Sequence, residues 1–404
     1  MLVSRPEDQV LVCIAHRSLD EGLAESLRQL LGSGLDWEHL LRMADRHCLI
    51  PLLYTHLSDV APSSVPQPVM SELRSAYHEN TKSNLFLTGE LIKVLECFAA
   101  NGIQAIPFKG PTLALWAYGD VGLRQFGDLD VLVHKQDVPR LRELLISRGF
   151  KPRPELTRVQ RAALLRFDCA YNFGNQRGVM LDVHWDFVEQ HFSIEMNVEC
   201  LWDRLELVTI GDKRLMTLSP DDLLLILCLH GFTHFWERLG WICDVASLID
   251  RQKEIDWQLV LENAKKLGLQ RILLLGLLLA RDLLGAAIPA EIRRAANTDA
   301  VVRGLAHQVQ QQLFEERRVP PGFFSGAILS LKMRERKRDK FASCLRLMLT
   351  PRSYDWMFLS LPEWLFFLYY PLRPLRLAGK YGARLLRGSH GRETPTEANR
   401  GVLP

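Results

Sequence analysis

Residues 108–133 read FKGPTLALWAYGDVGLRQFGDLDVLV, and a change of period inside this stretch decides the fold. Ile103 to Phe108 is a short, mostly apolar run, Lys109-Gly110 is a turn, and Pro111 sits where the first residue of a helix tolerates a missing N–H. That is strand, glycine turn, helix. From Asp128 to Val133 the period becomes two: Asp128, Asp130 and Leu132 share one strand face, and Leu129, Val131 and Val133 share the other. The two carboxylates then stand two residues' rise apart, roughly 7 Å. Like charges held so close invite a divalent cation.

Working outward, Val138 to Ser147 reads as a helix ending at Gly149, and a helical segment follows around Thr157 to Arg166. Cys169 to Phe173 and Val179 to Trp185 flank the turn at 174–178, which predicts an antiparallel hairpin. Asp182 lies between Leu181 and Val183, where an unpaired carboxylate is costly to bury. It therefore wants a partner, and three acids converging from adjacent strands hold one or two Mg²⁺ ions, a hard cation that selects oxygen ligands. Lys109 is placed to neutralise phosphate charge, and Gly110 lets backbone approach a phosphate at the positive end of a helix. Arg124 is either a phosphate contact or an exposed loop cation. His184, on the Asp182 side of its strand, either orders the acceptor or fills a polar corner of the core.

The flanking regions are helical. Glu21 to Leu31 and Trp37 to Ala44 carry apolar residues at spacings of three and four, Ser58 to Pro68 is a loop, and a long helix runs from Met70 to about Ala100. Ser219-Pro220-Asp221-Asp222 supplies an N-cap, a first-turn proline and early acids to another helix, after which the chain is mostly helical. The expected organisation is a helical region at 1–100, an α/β core at 101–215, a helical domain at 216–330 and an aromatic, basic arm at 331–404. Its final stretch from Arg392 is expected to be disordered. The fold class is α+β, a small mixed sheet flanked by helices.

His230 and His234 fall one turn apart, with Arg238 and Trp241 continuing along roughly the same side. A zinc-protease helix is excluded, because it needs Glu after the first histidine and position 231 is Gly. The stripe either contacts base, sugar or acceptor, or ties the helix to the sheet. The aromatic stretch Trp356 to Tyr370 and the basic residues after it read either as a peripheral membrane contact or as an arm packed on the helical domain.

Composition bounds these readings. With 48% hydrophobic and 24% charged residues the chain is an ordinary globular protein, and a formal charge of +3 disfavours nucleic-acid binding by bulk charge. The eight cysteines contain no Cys-x-x-Cys pair, Glu7 and Asp8 interrupt any export signal, and no apolar run approaches the roughly 18 residues of a membrane span. A cytoplasmic protein is expected.

The 108–133 stretch, followed by LDVHW at 181–185 and LSPDDLLLILCLHGFTHFWERLGWICDVASLI at 218–249, resembles the bacterial uncharacterised nucleotidyltransferase family of the polymerase-β-like superfamily. The resemblance starts at LDWEHLLRMADRHCLIPLLY, residues 35–54, and reaches the C-terminal region. It implies a Mg²⁺-dependent transfer of a nucleoside monophosphate from a nucleoside triphosphate to an acceptor. Asp128 and Asp130 would be the principal ligands, and Asp182 the third ligand or the base. Where the wider superfamily usually has Gly-Ser, this chain has Lys109-Gly110-Pro111, so a serine contact to phosphate is missing. The rival readings are a non-catalytic nucleotide-binding scaffold on the same fold and a tRNA- or nucleic-acid-directed transferase.

Overall fold

The computed structural model describes residues 5–189, 192, 194, 196–315, 328–329 and 331–386. The stretch from Arg392, expected to be disordered, lies outside the described residues. Helices α1 (Pro6–Ile14), α2 (Glu21–Leu31), α3 (Trp37–Arg46) and α4 (Ile50–Val60) precede the 34-residue α5 (Gln67–Ala100). Asp20 and Asp36 cap α2 and α3 by accepting hydrogen bonds from the N–H groups of Leu23 and His39.

Then the strands begin. β1 (Ala105–Pro107) leads into the short α6 (Gly110–Leu113), which continues as a π-helical turn over Ala114–Tyr118. β2 (Asp128–Val133), α7 (Val138–Ser147), β3 (Lys151–Arg153), α8 (Arg158–Phe167), β4 (Ala170–Gly174) and β5 (Met180–His184) complete a five-stranded sheet in the order β1-β2-β5-β4-β3. Only β2 and β5 run parallel; the other pairs are antiparallel. A second hairpin, β6 (Glu206–Ile210) and β7 (Lys213–Thr217), follows. It was not foreseen, although its turn Gly211-Asp212 with φ +61° at the glycine is a hairpin signal.

The remainder is helical: α9 (Pro220–Thr233), α10 (Leu239–Arg251), α11 (Trp257–Leu267), α12 (Gln270–Leu284), α13 (Ala290–Thr298), α14 (Ala300–Leu313), α15 (Lys337–Leu349), α16 (Ser353–Phe358) and α17 (Tyr369–Leu386). The α+β architecture with a small mixed sheet is as expected. Among the described residues no helix is long and apolar enough to cross a membrane.

Two apolar cores divide the faces of the sheet. Leu129, Val131 and Val133 of β2 join Leu91 and Val94 of α5, Leu141 and Leu145 of α7, and Leu181 and Val183 of β5. Leu132, on the opposite face, joins the N-terminal helices and α9, α10 and α12 in the other core. The alternation read from the sequence thus settles which way Asp130 points: away from the α5–α7 side, toward α9 and α10. The C-terminal aromatics correct an expectation. Trp356, Phe366 and Tyr369 belong to the sheet-side core with Phe167 of α8, not to the helical domain.

Candidate active site

The parallel register of β2 and β5 sets Asp130 directly opposite Asp182 and Leu132 opposite His184. One ligand atom each from Asp130, Asp182 and His184 lies within 4.8 Å of the others, the tightest metal-ligating trio among the described residues. Asp128, opposite Met180 at the start of β2, lines the same cavity without entering this trio. Of the expected trio, Asp130 and Asp182 lie in this group, His184 joins them, and Asp128 stands at the cavity beside it. The cause is register, since two strands aligned at 130 and 182 carry 184, two residues on, to the same face.

Charge organises the floor of the cavity. Lys109 Nζ donates to Asp130 Oδ1 at 3.0 Å, and His184 Nε2 stands 3.2 Å from the same oxygen. Burial raises the proton affinity of Asp130, but Lys109 and His184 outweigh it and hold the carboxyl well below its usual range. Asp182 behaves oppositely: burial first, then the Asp130 charge, push it up to about 6. Asp128 is raised by the same two causes. Asn172 of β4, the register partner of Asp182, donates to Asp182 Oδ1 at 2.6 Å and fixes that side chain.

Above this floor opens a cavity of about 830 Å³ whose lining includes Lys109, Arg124, Asp128, Asp130, Asp182 and His184, and also His230, His234, Arg238 and Trp241. The histidine stripe thus faces the acids, but not along one helix as the spacing suggested. α9 stops at Thr233, Phe235 and Trp236 adopt positive φ of 56° and 50°, and α10 begins after Arg238. Trp236 N–H donates back to the Gly231 carbonyl at 2.7 Å, and its ring lies where a β-carbon on residue 231 would be, 2.5 Å from Cζ3. The glycine that excludes a protease motif is there to admit an indole. The reversal gathers the rings of His230, His234 and Trp241 at mutual centroid distances of 4.5 to 5.3 Å, with the Arg238 guanidinium 5.5 Å from the Trp241 ring centroid. Burial, reinforced by the positive charge of Lys109, lowers both histidines, His234 to about 4. They are neutral imidazoles at neutral pH.

Arg124 is not an exposed loop cation. Its side chain is 13% exposed, and its Nε and Nη2 donate to the two Asp244 oxygens of α10 at 2.8 and 3.0 Å. Tyr118 donates its hydroxyl to Asp244 Oδ1 at 2.8 Å, and Asn84 of α5 donates to the Arg124 and Val121 carbonyls. Gly110 is absent from the cavity lining. With φ +52° it turns the chain from β1 into α6, and a β-carbon there would sit 3.5 Å from the Asp128 carbonyl oxygen. What reaches the cavity is its neighbour Lys109.

The family described as uncharacterised nucleotidyltransferase matches residues 33–285, more than half of the chain. The chain belongs to that family. No curated protein matches it. As a member of the uncharacterised nucleotidyltransferase family it is a nucleotidyltransferase, and the matched segment contains every cavity residue contributed by the sheet, α9 and α10.

The donor set of this nucleotidyltransferase fits a divalent ion. Two carboxylates, Asp130 and Asp182, and the His184 ring approach one point from two strands, with Asp128 lining the same cavity, and neither buried ring nitrogen of His184 makes a well-formed hydrogen bond. Sequence reasoning missed Asn172, Tyr118, Asn84 and the role of Asp244. The register of the hairpin about 174–178 pairs 172 with 182, a readable signal for Asn172. The other three act across long separations that no local pattern encodes.

Proposed function

We propose that the chain transfers a nucleoside monophosphate from a nucleoside triphosphate to an acceptor nucleophile, using Mg²⁺ held by Asp128, Asp130 and Asp182 with His184 beside them. The observation that carries this reading is the in-register Asp130–Asp182 pair opening into a cavity whose other walls are cationic and aromatic. A bound divalent ion would supply charge neutralisation and electrophilic activation at the α-phosphoryl group.

The side chains divide the remaining work. Lys109 and Arg238 neutralise phosphate charge, while Arg124, locked by Asp244, is a fixed positive wall that needs no reorganisation. Asp130 stays ionised. Asp182, pushed up to about 6, is the group suited to accept the acceptor's proton near neutral pH. The rings of His230, His234 and Trp241 form a neutral shelf for a base or sugar. In this reading the 101–215 core carries the chemistry and the 216–330 helices complete the cavity.

Incubating the purified chain with each α-labelled nucleoside triphosphate, Mg²⁺ and cell extract tests the proposal. Mg²⁺-dependent labelling of one species with release of pyrophosphate is expected, and Asp130→Asn should abolish it. Absence of nucleotide binding for all four nucleotides would favour a non-catalytic scaffold in which Lys109 permanently occupies Asp130.

A further inference from the structure

The outer surface of the C-terminal arm has no part in the cavity chemistry. On α15, Phe341, Leu345 and Met348 follow one another at spacings of four and three and are all exposed, Phe341 at 72%. Ser343 and Leu347 of the same helix line the cavity. At 100° per residue the two sets point roughly 150° apart, so the apolar stripe of α15 faces away from the cavity and is left uncovered. Exposed large apolar side chains recur along the chain beyond this helix. Phe358 is 84% exposed, Trp364 74% and Leu375 69%, with Phe367 also exposed. Large aromatics so concentrated within 35 residues are not the singly scattered apolar side chains of an ordinary surface.

Charge names the occupant. Residues 336–379 contain eight Lys or Arg against three acids, and with the buried Asp355 paired to Arg373 and Arg376 six cations remain against two acids. Arg336, Lys337, Arg338 and Lys340, at the start of α15, are exposed. A second copy of the chain would bring like charge against like charge across a two-fold contact. An anionic lipid surface instead accepts the apolar side chains among its acyl chains and the cations among its phosphates, with tryptophan at the boundary.

We propose that the α15–α17 arm is a peripheral membrane-docking surface for anionic bilayers. Docking sets the cavity about 10 Å, one helix thickness, from the lipid surface, because the cavity wall is the reverse side of α15. This surface is independent of the chemistry at Asp130.

Flotation of the full chain with phosphatidylcholine vesicles, with and without phosphatidylglycerol, tests it. Binding to the phosphatidylglycerol vesicles that weakens with added salt is expected. The double variant Trp364→Ser, Phe367→Ser should lower the bound fraction about tenfold, and Lys337→Glu with Arg338→Glu should do likewise on anionic vesicles alone. Both pairs are exposed, so far-ultraviolet dichroism and Tm should stay those of the parent. Failure to float with either vesicle, or flotation unchanged by both variants, overturns the proposal. So does a chain that light scattering finds dimeric and that Trp364→Ser, Phe367→Ser renders monomeric, because the surface would then belong to a second copy.

Discussion

At the scale of single residues, the site separates acids by their neighbours. Asp130 has a lysine and a histidine on one oxygen, whereas Asp182 has an amide and another carboxylate nearby. Asp130→Asn and Asp182→Asn are both expected to lower turnover at least about a hundredfold. They should differ in one respect: Asp182→Asn removes the acidic limb of the pH–rate profile, measured under saturating nucleotide. A third acid gives a stability prediction. Asp168 is pushed up to about 7 by burial and then by Glu189, against an ordinary value of 3.8. Between those values the folded chain keeps a proton that the unfolded chain has released, so stability falls as pH rises through this window and the penalty is complete above it. Asn at 168 retains an oxygen for the Cys169 N–H bond. Asp168→Asn should therefore match the parent near pH 4 and exceed it by about 1–2 kcal/mol near pH 8, read from urea denaturation at each pH.

Elements explain what could and could not be read in advance. β2 and α7 begin and end where the period and caps placed them, and Thr157 closes a capping box with Gln160 at the head of α8. Those features are written within a few residues of where they act. The acids were legible for the same reason: alternation fixed their common face before any partner strand was known. The break between α9 and α10 was not legible, because Phe235 and Trp236 hold positive φ that no propensity favours for aromatic residues. Only the packing of Trp236 against Gly231, with Gly276 of α12 also beneath its ring, sustains it. Gly231→Ala should cost about 1–3 kcal/mol by overpacking. It should also raise KM for nucleotide by displacing His230 and His234. Gly231→Ala combined with Trp236→Leu should recover part of the stability, which thermal unfolding of the two variants and the parent would measure. The pairing of Arg124 with Asp244 was equally hidden, because 120 residues separate the partners.

Over the whole molecule, that pair joins the loop before β2 to α10 and so couples the sheet to the helices that wall the cavity. Both side chains are largely buried, so removing one leaves an uncompensated charge. Asp244→Ala is expected to cost about 3–5 kcal/mol, observable as a lowered denaturation midpoint. Loss of nucleotide affinity should accompany it, because Arg124 would no longer be held at the wall. The parallel contact of β2 with β5 has a consequence for how freely the rest of the chain can vary. Since Asp130 and Asp182 are direct register partners, their separation is the ladder spacing itself, about 4.8 Å between strand axes. No turn sets that gap. The connection from His134 to Cys169 is thus released from catalytic tolerance, and insertions there, on the sheet face turned away from the cavity, leave the distance between the two acids the same.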